Sequence, residues 1–341
     1  MEAGVGEPVG DPAGKAMPIP IVILAGSDGR PAALPAAGRA LHALSGYKGV
    51  DLRLEGRPII VHVVERLLAT GCFCPVYVAG PLRLYGDVGL NAEVIDVDEG
   101  VAANVRAAVD VVSTRHPGVP LAFTVCDVLP DGPTLAKVMD LFERFSPCDI
   151  FYPVVKVPAD DAVLGASAWK PRYVLAERRG EPPCPVLPGH LLIGDPAALR
   201  LEFLYRLLEL AYRTRNRPVA YRRNVMFRGL VRELLWADVK NLFSLHPPTV
   251  TASVIATGLH VGIGLLEGWL SREEVEGRAR KIFVTSAHRR RHPGRRVVLP
   301  FIEGLTLAMD IDTVEEARQV GAEILAASEL PDRIQPEDKT E

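Results

Sequence analysis

The chain has 341 residues, 48% of them hydrophobic, and a formal net charge of −3. That is enough apolar material for one large α/β domain or two smaller ones, and a balance this close to neutral argues against non-specific nucleic-acid binding, which draws on a basic surface. Five cysteines without a repeated pair spacing, and no histidine cluster beside Cys72 and Cys74, argue against a disulfide framework or a structural zinc module; reduced thiols and a cytoplasmic protein are expected.

Residues 1–18 are mostly Gly, Pro, Ala and acidic residues. They have neither a basic start nor an apolar core, so a disordered leader is expected and not a signal peptide. Ile19–Leu24 is a short apolar run that breaks into Ala25-Gly26-Ser27-Asp28-Gly29-Arg30. An apolar run closed by turn residues reads as a buried parallel strand. The glycines let backbone N–H groups approach a phosphate at the carboxyl end of that strand. Arg30 adds a guanidinium fork that matches phosphate oxygens. Taken alone, the pattern is equally a tight turn.

A Pro/Ala-rich segment follows, and then Tyr47 to Leu54 leads to Gly56-Arg57-Pro58. Ile59–Leu68 has helical spacing, with Ile59, Ile60, Val63, Val64, Leu67 and Leu68 on one side; Pro58 suits its start and Gly71 its end. Val76–Pro81 reads as a strand and its exit, Glu93–Asp96 as a strand, and Gly100–Val112 as a helix. Leu121–Asp127 reads as a strand ending in a carboxylate, Asp131–Phe145 as a helix, and Asp149–Val155 as a strand. Residues 170–188 look like an antiparallel excursion. Pro196–Arg213, Phe227–Trp236 and Thr249–Arg280 read as mostly helical. Strand character returns at Val297–Phe301 and Leu305–Met309. Thr313–Ala326 is a closing helix with Thr313 and Glu316 as a capping box. Residues 329–341 are mostly polar, and a loose tail is expected there.

This alternation predicts an α/β fold with a Rossmann-like, mostly parallel sheet and helices on both faces. The core is expected from 19–199 together with 297–328, and a mostly helical insertion from 200–296.

Two carboxylate sites stand out. Asp127 follows a buried apolar strand, and Asp310 and Asp312 flank Ile311 where a strand meets the last helix. Carboxylates at strand ends collect on the ligand face of such a sheet. Their hard oxygens suit Mg²⁺, which takes a few carboxylates plus substrate phosphates. A single aspartate there more often caps the next turn. Two such sites, a glycine loop and Lys48 in one chain shift the balance towards a metal.

At this point the chain resembles a family, the nucleotidyltransferases of the glycosyltransferase-A-like fold that serve sugar phosphates and the molybdenum cofactor. Leu24-Ala25-Gly26-Ser27-Asp28-Gly29-Arg30 looks like their opening Leu-Ala-Gly-Gly-x-Gly-x-Arg loop, with Ser27 in place of the second glycine. Lys48 and then Gly56-Arg57-Pro58 look like their Lys and Gly-Lys-Pro, although the spacing from Arg30 to Lys48 is longer. Gly100 to Val105 sits where the family binds base and ribose, and Met309 to Glu316 is similar to its closing Asp-Ile-Asp-Thr-Pro-Glu-Asp, with Val314 for the proline. The resemblance implies a nucleoside triphosphate donor, a phosphorylated small-molecule acceptor, Mg²⁺ and release of pyrophosphate. It implies catalytic roles for Arg30, Lys48 and Asp127, and nucleotide contacts from Leu24, Ala25, Gly26, Ser27, Gly29, Gly100 and Asn104. The metal would be held by Asp127 with Asp310 or Asp312.

Two other readings stand beside this one. Asp96-Val97-Asp98 is an Asp-x-Asp pattern after a strand, as a glycosyltransferase using a nucleotide sugar would need. A catalytically silent nucleotide-binding protein would share the fold. The arginines from Arg213 to Arg232, with Arg172, Tyr173 and His190, are the expected acceptor side, or else a solvated surface. Thr249–Leu270 is apolar, but His260, Glu267 and its glycines make it a poor membrane span. With Arg289-Arg290-Arg291-His292 behind it, contact with an anionic membrane face is a minor alternative.

Overall fold

The computed structural model describes residues 18–27, 46–160, 172–214 and 270–329, with isolated positions between 225 and 264. The first strand, β1 (Ile19–Leu24), alternates between the two faces of the central sheet. Ile19, Ile21 and Ile23 join one apolar cluster, while Val22 joins another. A strand has a side-chain period of two, so an all-apolar run of this kind must be covered on both sides. Helices supply the cover. α2 (Ile59–Ala69) presents Ile59, Ile60, Val63, Val64 and Leu67 to the first face. The helix over Val101–Arg115, α4, presents Ala108, Val109 and Val112 to the second.

Before α2 the chain makes a short helix, α1 (Lys48–Asp51), and a small hairpin of β2 (Arg53–Leu54) and β3 (Arg57–Pro58). After it come β4 (Phe73–Gly80), α3 (Leu82–Tyr85) and β5 (Glu93–Asp96), then α4, β6 (Leu121–Val125) and α5 (Gly132–Phe145). The last of these starts at Asp131, whose side chain accepts from Thr134 N. Next come β7 (Ile150–Phe151), β8 (Val154–Lys156), β9 (Tyr173–Leu175), β10 (Cys184–Pro188) and β11 (Leu191–Gly194). Among the described residues the remaining elements are α6 (Leu201–Thr214), α7 (Arg272–Phe283), α8 (Ser286–Arg291), β12 (Val297–Val298), β13 (Phe301–Ile302) and α9 (Val314–Glu329).

Among the described residues, seven strands form the central sheet in the order β12-β7-β11-β6-β1-β4-β5. Six run in one direction, and β11 is antiparallel to both of its neighbours. The expected mostly parallel α/β architecture is therefore what the chain adopts. A second sheet, β13-β8-β10-β9, carries the antiparallel excursion expected near 170–188.

Four expectations need correction. Asp149–Val155 is not one strand, and neither is Val297–Phe301. Each breaks at a proline, Pro153 and Pro300, which has no N–H for a ladder. The two segments stay paired through the break, β12 beside β7 in the large sheet and β13 beside β8 in the small one. Leu305–Met309 is not a strand but a single 3₁₀ turn, Leu305–Leu307. Among the described residues its backbone bonds within itself and to His190 N, and Leu307 is drawn into the core. Finally, β6 stops at Val125, so Asp127 lies in the turn beyond the strand.

Among the described residues no helix is long and apolar enough to cross a membrane. Most of Thr249–Leu270 and of the arginine-rich stretch, including Arg215, Arg217, Arg222 and Arg223, lies outside the described residues.

Candidate active site

The carboxyl ends of β1 and β6 lie side by side, because Cys126 N donates to Leu24 O at 3.2 Å. The turn after β6 carries Asp127. The segment before α9 docks against that turn by a short antiparallel bridge between Val128 and Asp310, and Ile311 N donates to Asp127 O at 2.7 Å. This register brings Asp310 and Asp312 beside Asp127. One carboxylate oxygen from each of the three lies within 4.8 Å of the others.

Lys48 completes the cluster. It opens α1, and its ammonium donates to Asp127 Oδ2 at 2.7 Å and to Asp312 Oδ1. Burial alone would depress the lysine pKa, but the two carboxylates outweigh it and hold the ammonium charged above the usual lysine range. Glu316 supports the turn from below. Its carboxylate accepts from Asp312 N at 2.6 Å and Thr313 N at 3.1 Å, and Thr313 Oγ1 accepts from Glu316 N at 3.1 Å. The expected capping box is thus present and fixes the backbone that carries Asp312. Burial and the nearby Asp312 and Asp310 push the Glu316 carboxyl up, against the pull of those two N–H groups.

The loop after β1 leaves the strand whose end lies beside β6. Ala25 is buried; its N–H donates to Ala79 O at 2.9 Å. Gly26 lies against Asn104, and a Cβ at Gly26 would sit 2.2 Å from Asn104 Nδ2, so the position admits only glycine without movement. Asn104 is itself buried and accepts from Glu99 N through Oδ1 at 3.3 Å. Gly100, the residue before α4, has extended backbone and accepts from Ala103 N and Asn104 N. Leu24 packs on the α4 face of the sheet, and Ser27 O accepts from Tyr212 of α6 at 3.5 Å. Gly29 and Arg30 lie outside the described residues.

The Asp-x-Asp pattern goes elsewhere. Asp96 accepts from Leu82 N at 2.8 Å. Asp98 accepts from Tyr47 Oη at 2.8 Å and from Arg83, whose guanidinium also lies over the Tyr47 ring. Neither joins the carboxylate cluster. His190 is held through its backbone, with N donating to Leu307 O and O accepting from Thr124 Oγ1. A cavity of about 260 Å³ lies between α4 and α6 over β6 and β11, with Phe123, Leu192, Leu204 and Leu208 in its wall. None of the carboxylates nor Lys48 lines it, so it is distinct from the charged cluster. Sequence reasoning missed Tyr85, Tyr47 and Arg83, which match no motif.

No family model and no curated protein matches the chain. Among solved structures it is similar to a hypothetical transferase from Thermus thermophilus, with TM-score 0.49, 21% identity, and coverage of 88% of this chain and 99% of that one. It is also similar to CMP:2-keto-3-deoxy-manno-octonic acid synthetase complexed with CTP, with TM-score 0.45, 12% identity, and coverage of 91% and 99%. The bifunctional IspDF from Campylobacter jejuni gives TM-score 0.35 at 14% identity, covering 56% of this chain and 43% of its own. These are likenesses of chain path; the chemistry of the site rests on this chain's own residues.

Proposed function

We propose that this protein is a nucleotidyltransferase that moves a nucleoside monophosphate from a nucleoside triphosphate to a phosphorylated small molecule, releasing pyrophosphate. The observation that carries the reading is the meeting of Lys48, Asp127, Asp310 and Asp312 at the carboxyl end of β1 and β6, beside a glycine loop. Ligands of open α/β sheets bind at that edge. The donor set fits Mg²⁺, since three hard carboxylate oxygens converge where substrate phosphates would supply the remaining ligands. Asp127, Asp310 and Asp312 would hold it. When bound, the ion offsets phosphate charge and favours departure of pyrophosphate.

In the reaction an acceptor phosphate oxygen forms a bond to the α-phosphorus, and the bond from that phosphorus to the β-bridging oxygen breaks. The electron pair leaves with pyrophosphate. The acceptor is already ionised, so no residue need remove a proton. Backbone N–H groups of the loop at Gly26 and Ser27 would hold phosphate oxygens, and Lys48 would neutralise the charge that builds on them. Asn104 and Gly100 would lie along the nucleoside. Catalysis of this kind is positioning and electrostatics.

A glycosyltransferase is the second reading. It is disfavoured because Asp96 and Asp98 are turned to Leu82, Tyr47 and Arg83. Thermal unfolding with each of the four ribonucleoside triphosphates, with and without Mg²⁺, is the test, since a ligand of the native state raises the midpoint. A Mg²⁺-dependent rise with one of them, lost in Asp127→Ala, supports the proposal. A rise with a nucleotide sugar alone would replace it with the glycosyltransferase, and binding without pyrophosphate release on any phosphorylated acceptor would favour a silent binding protein.

A further inference from the structure

Tyr85 belongs to no recognised motif, yet it lies against both the start of the loop after β1 and the residue that follows Lys48. It ends α3 and is 1% exposed. Its hydroxyl donates to the Ala25 carbonyl at 2.8 Å. The Ala25 N–H is also bonded, to Ala79, so both polar groups of Ala25 are fixed where β1 gives way to the loop. Around the ring, two glycines leave the room it fills. A Cβ at Gly80 would lie 2.6 Å from the ring, and one at Gly49 would lie 2.8 Å from the hydroxyl. Gly49 adjoins Lys48. A Cβ there would also lie 3.4 Å from the Cβ of Cys126, which adjoins Asp127. Burial pushes the phenol far up, so the hydroxyl stays a donor at every working pH.

A peptide unit is planar and rigid. The Ala25 carbonyl and the Gly26 N–H belong to one such unit and point in opposite directions, so fixing the first aims the second. A phenylalanine would fill this space equally well. Only the carbonyl needs the hydroxyl.

We propose that Tyr85 is a positioning residue of the nucleotidyltransfer site, holding the Ala25 carbonyl so that the Gly26 N–H faces the phosphates. This rests on the nucleotidyltransferase reading above. The test is Tyr85→Phe in the full chain, using the triphosphate that shifts the wild type. Titration calorimetry gives its affinity, and pyrophosphate release gives kcat and KM. Leaving a buried acceptor unpaired is expected to weaken triphosphate binding and raise its KM about 5- to 20-fold, with the KM for the acceptor unchanged. Gly49→Ala crowds the hydroxyl from the other side and should also weaken triphosphate binding. The double variant should lose less than the product of the two losses, because removing the hydroxyl makes room for the methyl. A Tyr85→Phe protein with a lower melting point but wild-type triphosphate affinity and KM overturns the proposal. If that variant does not fold, Gly49→Ala with wild-type affinity overturns it. A wild type that binds none of the four triphosphates instead overturns the nucleotidyltransferase reading.

Discussion

Replacing Lys48 with methionine keeps the length of the stem and removes the ammonium between Asp127 and Asp312. The three side chains are only 12–15% exposed, and the ammonium reaches both carboxylates. Breaking such a pair from one side costs about 3–5 kcal/mol, because the charge left behind has no partner. Here two carboxylates are left facing each other with Asp310 nearby, and the loss should lie within that range. For a chain of this size, roughly 2 °C per kcal/mol gives a fall in Tm of about 6–10 °C. The lysine pKa is raised in the folded state, so its stabilisation is fully present below the ordinary value of 10.5 and is lost only as pH rises through the higher folded value. The Tm gap between wild type and K48M should therefore stay constant between pH 7 and 9. Mg²⁺ should raise the Tm of K48M more than that of the wild type, since it can neutralise the exposed pair. Turnover should still fall by about 10²–10³, the usual cost of removing one group that stabilises charge in the transition state. Calorimetric melting and pyrophosphate release measure the two effects. A K48M protein that melts with the wild type and turns over normally would refute the assignment of Lys48.

Gly26→Ala should cost about 1–3 kcal/mol by overpacking against Asn104, and adding Asn104→Ala should restore part of the lost Tm; a Gly26→Ala chain of wild-type stability would contradict the close approach. Asp149 is fully buried and accepts from Arg280 Nε at 2.7 Å and His288 at 3.1 Å, tying α7 and α8 to β7. Asp149→Ala should lower stability by about 3–5 kcal/mol while triphosphate affinity stays the same, which melting and titration together can check. Glu316 has a raised pKa in the folded state, so it contributes stability that is present at acid pH and fades as pH rises through its folded value. Glu316→Gln retains an oxygen for the Asp312 and Thr313 N–H groups, so its melting point relative to wild type should improve as pH rises from below the ordinary carboxylate value of 4.5 through the higher folded value. A constant difference across that range would count against the shift.

Much of the architecture could be read locally. β1, α2, β5, α4 and the Thr313–Glu316 box announce themselves because each must bury one face or cap one end, and period and cap chemistry are written in neighbouring residues. The loop glycine at 26 and the carboxylates at 127, 310 and 312 were legible for the same reason, since they stand at the ends of such elements. Their assembly was not. Asp127 and Asp312 are far apart in the chain, and what joins them is the register of Val128 on Asp310 and the reach of Lys48 from a helix after the loop. The breaks at Pro153 and Pro300 were visible as prolines, but that both segments move together from one sheet to the other depends on their pairing. Tyr85 carried no signal at all, because its meaning lies in the space left by Gly49 and Gly80 and in the carbonyl of Ala25. Which segments become strands and helices, and which residues stand at their ends, is set by short-range periodicity and so is written along the chain. Tertiary structure alone decided which of those ends meet, because strand order and long-range register come from packing the whole core.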